Sequence, residues 1–266
     1  MKKFILVAAL LIAVMGLAAC GGNNEPEVRT LVMGTNAGFF PFEFIAEEGR
    51  GVIGHYAGID VSLAKRIGEE IGAEIVVQDQ EFAGLIFALQ SREIDFIAAG
   101  MTIRPDRAEM VNFSVPYFTA GQRIVVQAGN TTFNSMADLE GGIVGVQLGT
   151  TADIAVTDSH NEGNVTFQDI QRYNQPVTAI IDLLSGSIDA VVIDAPVARG
   201  FLASYPDQLR MFYDPNNFFG PEQFGMAFHL EDTELLAEFN EVLTRLIAEG
   251  YVDYLYNFYM TEFAPE

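Results

Sequence analysis

Hydrophobic and polar residues alternate along this chain with two different periods. Short runs rich in apolar and β-branched residues predict strands; they lie at Thr30–Gly34, Glu74–Val77, Asp95–Ala99, Arg123–Gln127, Ile143–Gln147, Asp189–Ile193 and Gln223–Phe228. Between them, apolar positions that recur every three or four residues predict amphipathic helices, which lie at Asp60–Gly72, Glu81–Ser91, Pro176–Ser185 and Asp232–Gly250. Strands that alternate with helices indicate βαβ units and mainly parallel sheets. We therefore expect an α/β fold.

The N-terminus follows a different pattern. Two lysines precede an apolar run of about 14 residues, and the run ends in Leu17-Ala18-Ala19-Cys20. A basic start, a short apolar run and small residues are typical of a secretory signal, and the run is shorter than the roughly 20 residues that span a bilayer. A cysteine directly after Leu-Ala-Ala resembles the bacterial lipobox, which implies cleavage before Cys20 and a lipid on its thiol.

We therefore expect residues 1–19 to be a lipoprotein signal peptide and residues 20–29 to be a lipid anchor with a flexible tether. The alternative is an ordinary signal with a chance cysteine. In either case the protein works outside the cytoplasmic membrane, and the lipid on Cys20 would hold it at the outer face. An outer membrane, if the cell has one, would enclose it in a periplasm.

Charge and cysteine content exclude several classes of protein. Cys20 is the only cysteine, so the chain has no disulfide framework and no cysteine metal site. Without residues 1–19 the chain keeps 12 basic and 36 acidic residues, a formal charge of −24. Such a charge argues against binding to nucleic acid or docking on anionic lipid. The body beyond the tether is long enough for one large domain or two lobes.

Signatures of catalysis and of metal binding are absent from the sequence. It has no Walker loop, no Gly-x-Ser-x-Gly elbow and no His-Glu-x-x-His motif. The histidines His55, His160 and His229 stand apart, without the spacing of metal ligands, and we interpret them as surface or boundary residues. The single thiol lies in the lipobox and cannot serve as a nucleophile. We expect no cofactor and no metal.

The segment from Ile94 to Phe118 carries the most informative polar residues. A predicted buried strand runs into small residues and Thr102, and Pro105 stands where a helix can begin. Arg107 would then lie in the first turn of that helix, beside free N–H groups and the positive end of the helix dipole.

Two interpretations of Arg107 follow from this position. An anionic ligand would relieve the electrostatic mismatch, because the guanidinium, the hydroxyl of Thr102 and backbone donors could converge on a carboxylate. Alternatively, Arg107 pairs with a neighbouring acid such as Asp106 or Glu109. The chemistry of the residues alone leaves both open.

At this point the chain resembles a known family, the bacterial family 3 solute-binding proteins, which are the amino-acid receptors of ABC importers. The resemblance covers about residues 30 to 262 and is carried by long motifs in the same order: GIDVSLAKRIG (58–68), EFAGLIFALQSREIDFIAAGMTIRPDRAEMVNFSVPYF (81–118), DLEGGIVGVQLGTTAD (138–153) and SGSIDAVVIDAPVA (185–198). It implies the type II periplasmic-binding-protein fold, in which two α/β lobes joined by two hinge strands close on the ligand. Lobe one would comprise residues 30–119 and 223–266, and lobe two residues 120–222.

The resemblance also implies which residues grip a free amino acid. Arg107 would bind the α-carboxylate, with help from Thr102 and from Thr150 and Thr151 at a second helix start. Gly100 and Asp194 would bind the ammonium. Without the resemblance, Asp194 would be interpreted as the cap of a helix over Ala195–Ser204.

Four further positions would surround the side chain of the amino acid. Phe39 and Phe82 match family positions whose rings flank it, and Asn36 and Gln147 match positions at its distal end. Relatives that bind cationic amino acids tend to carry an acid where this chain has Asn36. Because an unpaired buried charge is unfavourable, we expect an uncharged ligand.

Two other functions remain open. The same scaffold resembles cyclohexadienyl and arogenate dehydratases, in which a cleft acid protonates a leaving hydroxyl; the candidate acids are Glu43, Glu81 and Asp60. A signalling module that reports a ligand to a membrane sensor would need a separate partner. We do not expect an enzyme. We expect a monomeric receptor whose partners are a free amino acid and ABC permease subunits with a cytoplasmic ATPase.

Overall fold

The computed structural model describes residues 28–214 and 220–263. The predicted signal peptide, Cys20 and the tether as far as residue 27 lie outside the described residues. No helix in the described ranges is both long and apolar enough to cross a membrane. In the same ranges, no cluster of three or more histidine, cysteine, aspartate or glutamate side chains could hold a metal ion.

The first lobe is built on a five-stranded sheet. Its strands in spatial order are β5 (Ala73–Asp79), β1 (Arg29–Thr35), β6 (Phe96–Ile97), β15 (Ala227–Phe228) and β7 (Asn112–Phe113). Strands β5, β1 and β6 run parallel, whereas β15 is antiparallel to both of its neighbours. A small sheet of β2 (Gly38–Phe39), β3 (Glu43–Ile45) and β4 (Tyr56–Ala57) adjoins it.

The helices of the first lobe follow from their apolar stripes. Helix α1 (Ile59–Ile71) buries Leu63, Ala64 and Ile67 and ends at Gly72, whose φ of 71° is the left-handed conformation that favours glycine. The predicted helix over 81–91 is a 3₁₀ turn, Phe82–Gly84, followed by α2 (Leu85–Gln90). Helix α3 (Pro105–Ala108) has only four residues. Helices α7 (Thr233–Ala248) and α8 (Tyr251–Glu262) pack against α1.

The second lobe repeats the plan with a second five-stranded sheet. Its strands in spatial order are β11 (Asp169–Tyr173), β10 (Ile143–Gln147), β12 (Ala190–Asp194), β9 (Gln122–Gln127) and β13 (Leu209–Phe212). Strands β11, β10 and β12 are parallel, and β9 is antiparallel to β12 and β13. Its helices are α4 (Thr151–Asn161), α5 (Pro176–Ser185) and α6 (Ala195–Ser204).

Two short antiparallel strands join the lobes. Strand β8 (Phe118–Ala120) pairs with β14 (Glu222–Phe224). The prediction of one continuous strand over Gln223–Phe228 is wrong: the chain leaves β14 at Gly225, whose N–H donates to the carbonyl of Met101, and enters the first sheet as β15. The residues therefore serve two sheets, which a hydrophobic pattern cannot distinguish from one. The lobe limits at 119/120 and 222/223 stay a prediction.

Candidate ligand-binding site

A small cavity lies between the lobes, with about 300 Å³ of space not occupied by atoms, part of which is open to solvent. The structure brings together in its wall every residue predicted to contact ligand, namely Asn36, Phe39, Phe82, Gly100, Thr102, Arg107, Gln147, Thr150, Thr151 and Asp194. Glu43 and Ala99 complete the wall. Each residue's role toward a ligand stays a prediction. A larger groove behind the hinge strands is open to solvent and is lined by none of these residues.

Arg107 is a buried cation that contacts carbonyl oxygens. Its side chain on α3 is 3% exposed; Nη1 donates to the Thr102 carbonyl over 2.9 Å and Nη2 to the Gly149 carbonyl over 3.0 Å. Burial, with the neighbouring Arg104, lowers the pKa of Arg107 to about 9. Asp106 does not pair with it, because Asp106 accepts two hydrogen bonds from Arg104.

Two threonines at the start of α4 differ in their hydrogen bonding. Thr150 caps the helix: its hydroxyl accepts from the N–H of Asp153 and donates to the carbonyl of Gln147. The buried hydroxyl of Thr151 has no hydrogen-bond partner within the described ranges. Thr151 is thus the threonine whose side chain is available to a ligand, and Thr150 shapes the helix end that holds it.

Asp194 ends β12 and precedes α6, but it does not cap that helix with its side chain. Its carboxylate accepts a hydrogen bond from Gln122 Nε2 over 3.0 Å. Burial, assisted by the nearby Glu222 carboxylate, raises the pKa of Asp194 to about 8. Asp194 thus occupies the N-cap position of α6, but its side chain makes no capping hydrogen bond.

The residues predicted for the distal end of the ligand bond to each other. Gln147 Nε2 donates to Asn36 Oδ1 over 2.9 Å, and Asn36 Nδ2 donates to the Gln80 carbonyl. Thr102 also has a protein partner, because its hydroxyl donates to Glu222 Oε2 over 3.1 Å. These side chains line the cavity while their polar atoms are largely engaged.

Phe39, Phe82 and Gly100 give the cavity its shape. Gly100 has a φ of 52°, and a Cβ at this position would lie 2.9 Å from the ring of Phe39. Glycine is required here for both backbone and space. The ring of Phe82 lies 5.3 Å from the guanidinium carbon of Arg107. The two aromatic rings thus form apolar parts of a wall that also carries charge.

Glu43 is the residue whose relation to a ligand the sequence analysis missed. It had been considered only as an acid for catalysis. Its side chain is fully buried, both carboxylate oxygens lack a hydrogen-bond partner among the described residues, and it lines the cavity. Burial, followed by the charge of Asp60, raises the pKa of Glu43 well above its usual value. The signal was present, since an acid that begins a strand directly after Phe-Pro-Phe is set among apolar residues.

The other two candidate acids lie outside the cavity wall. Asp60 Oδ2 accepts from the N–H of Gly100 and from the hydroxyl of Tyr117, each over 2.8 Å, so it supports the local architecture. Glu81 is exposed and accepts a hydrogen bond from Asn174 across the mouth of the cleft.

Two α/β lobes, two hinge strands and a charged cavity between the lobes define a two-lobed solute-binding protein. Residues 31–262 match the bacterial extracellular solute-binding proteins, family 3, and the chain belongs to this family.

The relatives bear out this assignment. The chain is similar to the arginine-binding extracellular protein ArtP of Bacillus subtilis (strain 168), with 34% identity over 258 residues, 96% of each chain. It is also similar to a solved ancestral arginine-binding protein bound to arginine, with 36% identity and a TM-score of 0.77 over 87% of this chain and 98% of that one. An ancestral arginine-binding protein bound to glutamine gives 37% identity and a TM-score of 0.76 over 85% and 96%.

These findings establish the class of function. The protein is an amino-acid-binding receptor of an ABC transporter, works outside the cytoplasm and is not an enzyme.

Proposed function

We propose that this receptor captures a free amino acid with a cationic side chain, arginine first among them. In this proposal the α-carboxylate binds Arg107 and Thr151, the ammonium binds Asp194 and the backbone carbonyl of Gly100, and the side chain reaches Glu43. The observation that carries the choice of side chain is Glu43, a fully buried carboxylate with two unpartnered oxygens in the cavity wall.

The carboxylate end is supported by the surroundings of Arg107. The guanidinium is buried and bonds only neutral carbonyls among the described residues, so an anion would supply the countercharge. The unpartnered hydroxyl of Thr151 lies at the N-terminal end of α4, where free N–H groups and the helix dipole favour an anion.

The side-chain end is supported by charge balance. The carboxylate and ammonium of the ligand neutralise Arg107 and Asp194, so Glu43 remains as an uncompensated acid. A guanidinium would pair with its two oxygens in the parallel geometry that arginine and carboxylate favour. Phe39 and Phe82 offer aromatic faces on which a planar guanidinium can stack.

The neutral-ligand prediction rested on Asn36. In the structure the amide of Asn36 bonds Gln147 and Gln80, so it does not report the charge of the ligand. One observation still favours a neutral ligand such as glutamine: the raised pKa of Glu43 would keep this acid protonated and uncharged beside an amide. The second candidate is therefore a receptor for a neutral polar amino acid.

Closure follows from the placement of the charges. Arg107 lies in lobe one and Asp194 in lobe two, so only the closed protein offers partners to both ends of one amino acid. Each such charge-assisted bond contributes about 1.5–3 kcal/mol. This difference between the open and closed forms is what lets the ligand shift the equilibrium toward closure.

The test compares L-arginine with L-citrulline, which has the same length and shape but a neutral urea group. After a thermal-shift screen of the common amino acids with cystine, ornithine and citrulline, isothermal titration measures both affinities in the unaltered protein, Glu43→Gln and the control Glu47→Gln. Glu47 is an exposed acid four residues further on.

We expect the unaltered protein and Glu47→Gln to prefer arginine by about 100-fold or more, because breaking a buried pair costs about 3–5 kcal/mol. Glu43→Gln should lose this preference. If citrulline or glutamine binds the unaltered protein as tightly as arginine, the ligand is neutral and the proposal is wrong.

We further propose that the receptor is a monomer held to the outer face of the cytoplasmic membrane by lipid on Cys20. One acyl chain binds a membrane only marginally, whereas two or more anchor stably, so a diacylglyceryl cysteine with its tether would keep the receptor near its permease. Cys20→Ser should move the protein from the detergent phase to the aqueous phase in a Triton X-114 partition of whole cells. Retention in the detergent phase would contradict the lipid anchor.

A further inference from the structure

Two buried carboxylates near the hinge share one hydrogen-bond donor. Gln122 Nε2 donates to Asp194 Oδ1 over 3.0 Å and to both carboxylate oxygens of Glu222 over 3.2 Å. The three side chains are no more than 6% exposed. Asp194 ends β12 in lobe two, Gln122 begins β9, and Glu222 begins the hinge strand β14.

Two carboxylates in contact with one nitrogen lie close enough to repel each other strongly in a dry site. The cationic groups that face them are Arg107 and Arg104, and both favour the ionised form of Glu222. Glu43 lies across the cavity from Asp194, and the charge of Asp194 contributes to the raised pKa of Glu43. Thr102 donates its hydroxyl to Glu222. Burial raises the pKa of both acids, and the charge of Glu222 adds to the rise at Asp194, whose pKa reaches about 8.

We propose that Glu222 is a further residue of the ammonium subsite: with Asp194 it holds a single proton in the ligand-free protein, and the ammonium of the ligand displaces that proton. Glu222 is a positioning residue, because it acts through Asp194 and does not line the cavity. The inference rests on the proposed binding of the amino-acid ammonium to Asp194. When the ligand binds, the covalent O–H bond of Asp194 breaks and its proton goes to bulk water. The resulting carboxylate then accepts a hydrogen bond from the ammonium of the ligand.

The consequence is a coupling between affinity and pH. Protons and ligand compete for the pair, so ligand affinity rises with pH until the pair has lost its proton. A dianionic pair then receives the ammonium without releasing anything. Without the charge of Glu222, burial still raises the pKa of Asp194, whereas Gln122 and Arg107 favour its ionised form. We therefore expect Asp194 to be ionised at pH 7 in Glu222→Gln and the competition to be lost.

The experiment measures protons released per arginine bound. Isothermal titration at pH 7 in phosphate, HEPES and imidazole buffers, whose ionisation enthalpies differ, gives that number for the unaltered protein, Glu222→Gln, Glu222→Asp and the exposed control Glu74→Gln. Glu43 can also give up a proton to arginine, so the decisive quantity is the difference between proteins titrated with the same ligand.

We expect Glu222→Gln to release about one proton fewer than the unaltered protein, whereas Glu222→Asp and Glu74→Gln release as many as the unaltered protein. The ratio of the affinities of the unaltered protein and Glu222→Gln should then rise about tenfold per pH unit between pH 6 and 7. A merely structural Glu222 would lower affinity equally at every pH.

Three results would overturn the inference. Equal proton release by the unaltered protein and Glu222→Gln excludes a shared proton, although arginine binding itself would stand. Release of less than about half a proton by the unaltered protein excludes it whatever the variants do, including a Glu222→Gln that fails to fold. A ratio of affinities that is independent of pH excludes it as well. If the unaltered protein binds no amino acid at all, the proposed function fails first.

Discussion

Gln147 and Asn36 join the two lobes across the cleft, with Gln147 Nε2 donating to Asn36 Oδ1 over 2.9 Å. Both side chains are buried, and each also donates to a backbone carbonyl. Gln147 donates to the carbonyl of Asn174, and Asn36 donates to the carbonyl of Gln80. The pair is thus part of the contact between the lobes, together with the bond from Arg107 to the Gly149 carbonyl.

Asn36→Ala should loosen the closed state. The substitution removes one interlobe hydrogen bond, which contributes about 0.5–1.5 kcal/mol, so affinity for the ligand should fall roughly twofold to tenfold. Small-angle X-ray scattering of the ligand-free variant should give a larger radius of gyration than the unaltered protein. Asn161→Ala, an exposed change at the end of α4, should alter neither value. A variant with unchanged scattering and affinity would show that this bond does not hold the lobes together.

Arg107→Ala should abolish useful binding. It removes the buried cation at the carboxylate end, and we expect the affinity measured by calorimetry to fall by at least about 100-fold, since several charge-assisted bonds are lost. The circular dichroism spectrum should not change. The control is Arg29→Ala, which removes an exposed ion pair with Glu238 and should leave affinity intact. Binding by Arg107→Ala within tenfold of the unaltered protein would contradict the assignment of the carboxylate subsite.

Gly100→Ala should destabilise the protein and weaken binding together. The left-handed φ of 52° disfavours a side chain, and the new methyl group would lie 2.9 Å from the ring of Phe39. We expect a loss of about 1–3 kcal/mol in the free energy of unfolding, measured by urea denaturation. Gly84→Ala is the matched control, because no atom lies within 4 Å of its new Cβ and its φ is −88°. Equal stability of the two variants would show that the backbone at Gly100 adapts.

Asp60→Asn should change how stability depends on pH. Burial raises the pKa of Asp60 from 3.8 to about 7, so the folded protein holds this proton more tightly than the unfolded chain does. The contribution of Asp60 to stability is therefore complete at low pH and is lost as pH rises from about 4 to 7. Asparagine does not ionise.

Differential scanning fluorimetry measures the Tm of both proteins. The Tm of Asp60→Asn minus that of the unaltered protein should increase between pH 5 and 7. Asp158→Asn, an exposed change on α4, should show a constant difference. A constant difference for Asp60→Asn too would mean that Asp60 titrates normally.

Local patterns predicted most of the secondary structure. The stripe of Leu63, Ala64 and Ile67 located α1, and the run Ile143–Gln147 is strand β10 without change. The local patterns did not predict the short strands β2, β3, β4, β7 and β8, nor strands β11 and β13 and helix α8. The charged sequence of β11 and the aromatic-rich sequence of α8 lack a clear period, and their conformation depends on the surfaces against which they pack.

Ten of the twelve residues of the cavity wall were predicted, but only through the likeness of long motifs to a known family; Glu43 and Ala99 were missed. From its local sequence, Arg107 was equally compatible with pairing to Asp106, and Asp194 with capping a helix. In the structure neither alternative occurs. Arg104 donates hydrogen bonds to Asp106, and Gln122 donates one to Asp194. Such choices between partners depend on side chains that are distant in the chain.

The sequence by itself determined the predicted export signal, the α/β alternation and the family, because these depend on composition, periodicity and ordered motifs. Only the tertiary structure decided which polar groups are engaged and which are available. It placed Asn36 against Gln147, 111 residues away, and left Glu43 buried without a partner among the described residues. Whether a buried polar group has a partner is a property of three-dimensional packing, and that property now carries the proposal for the ligand.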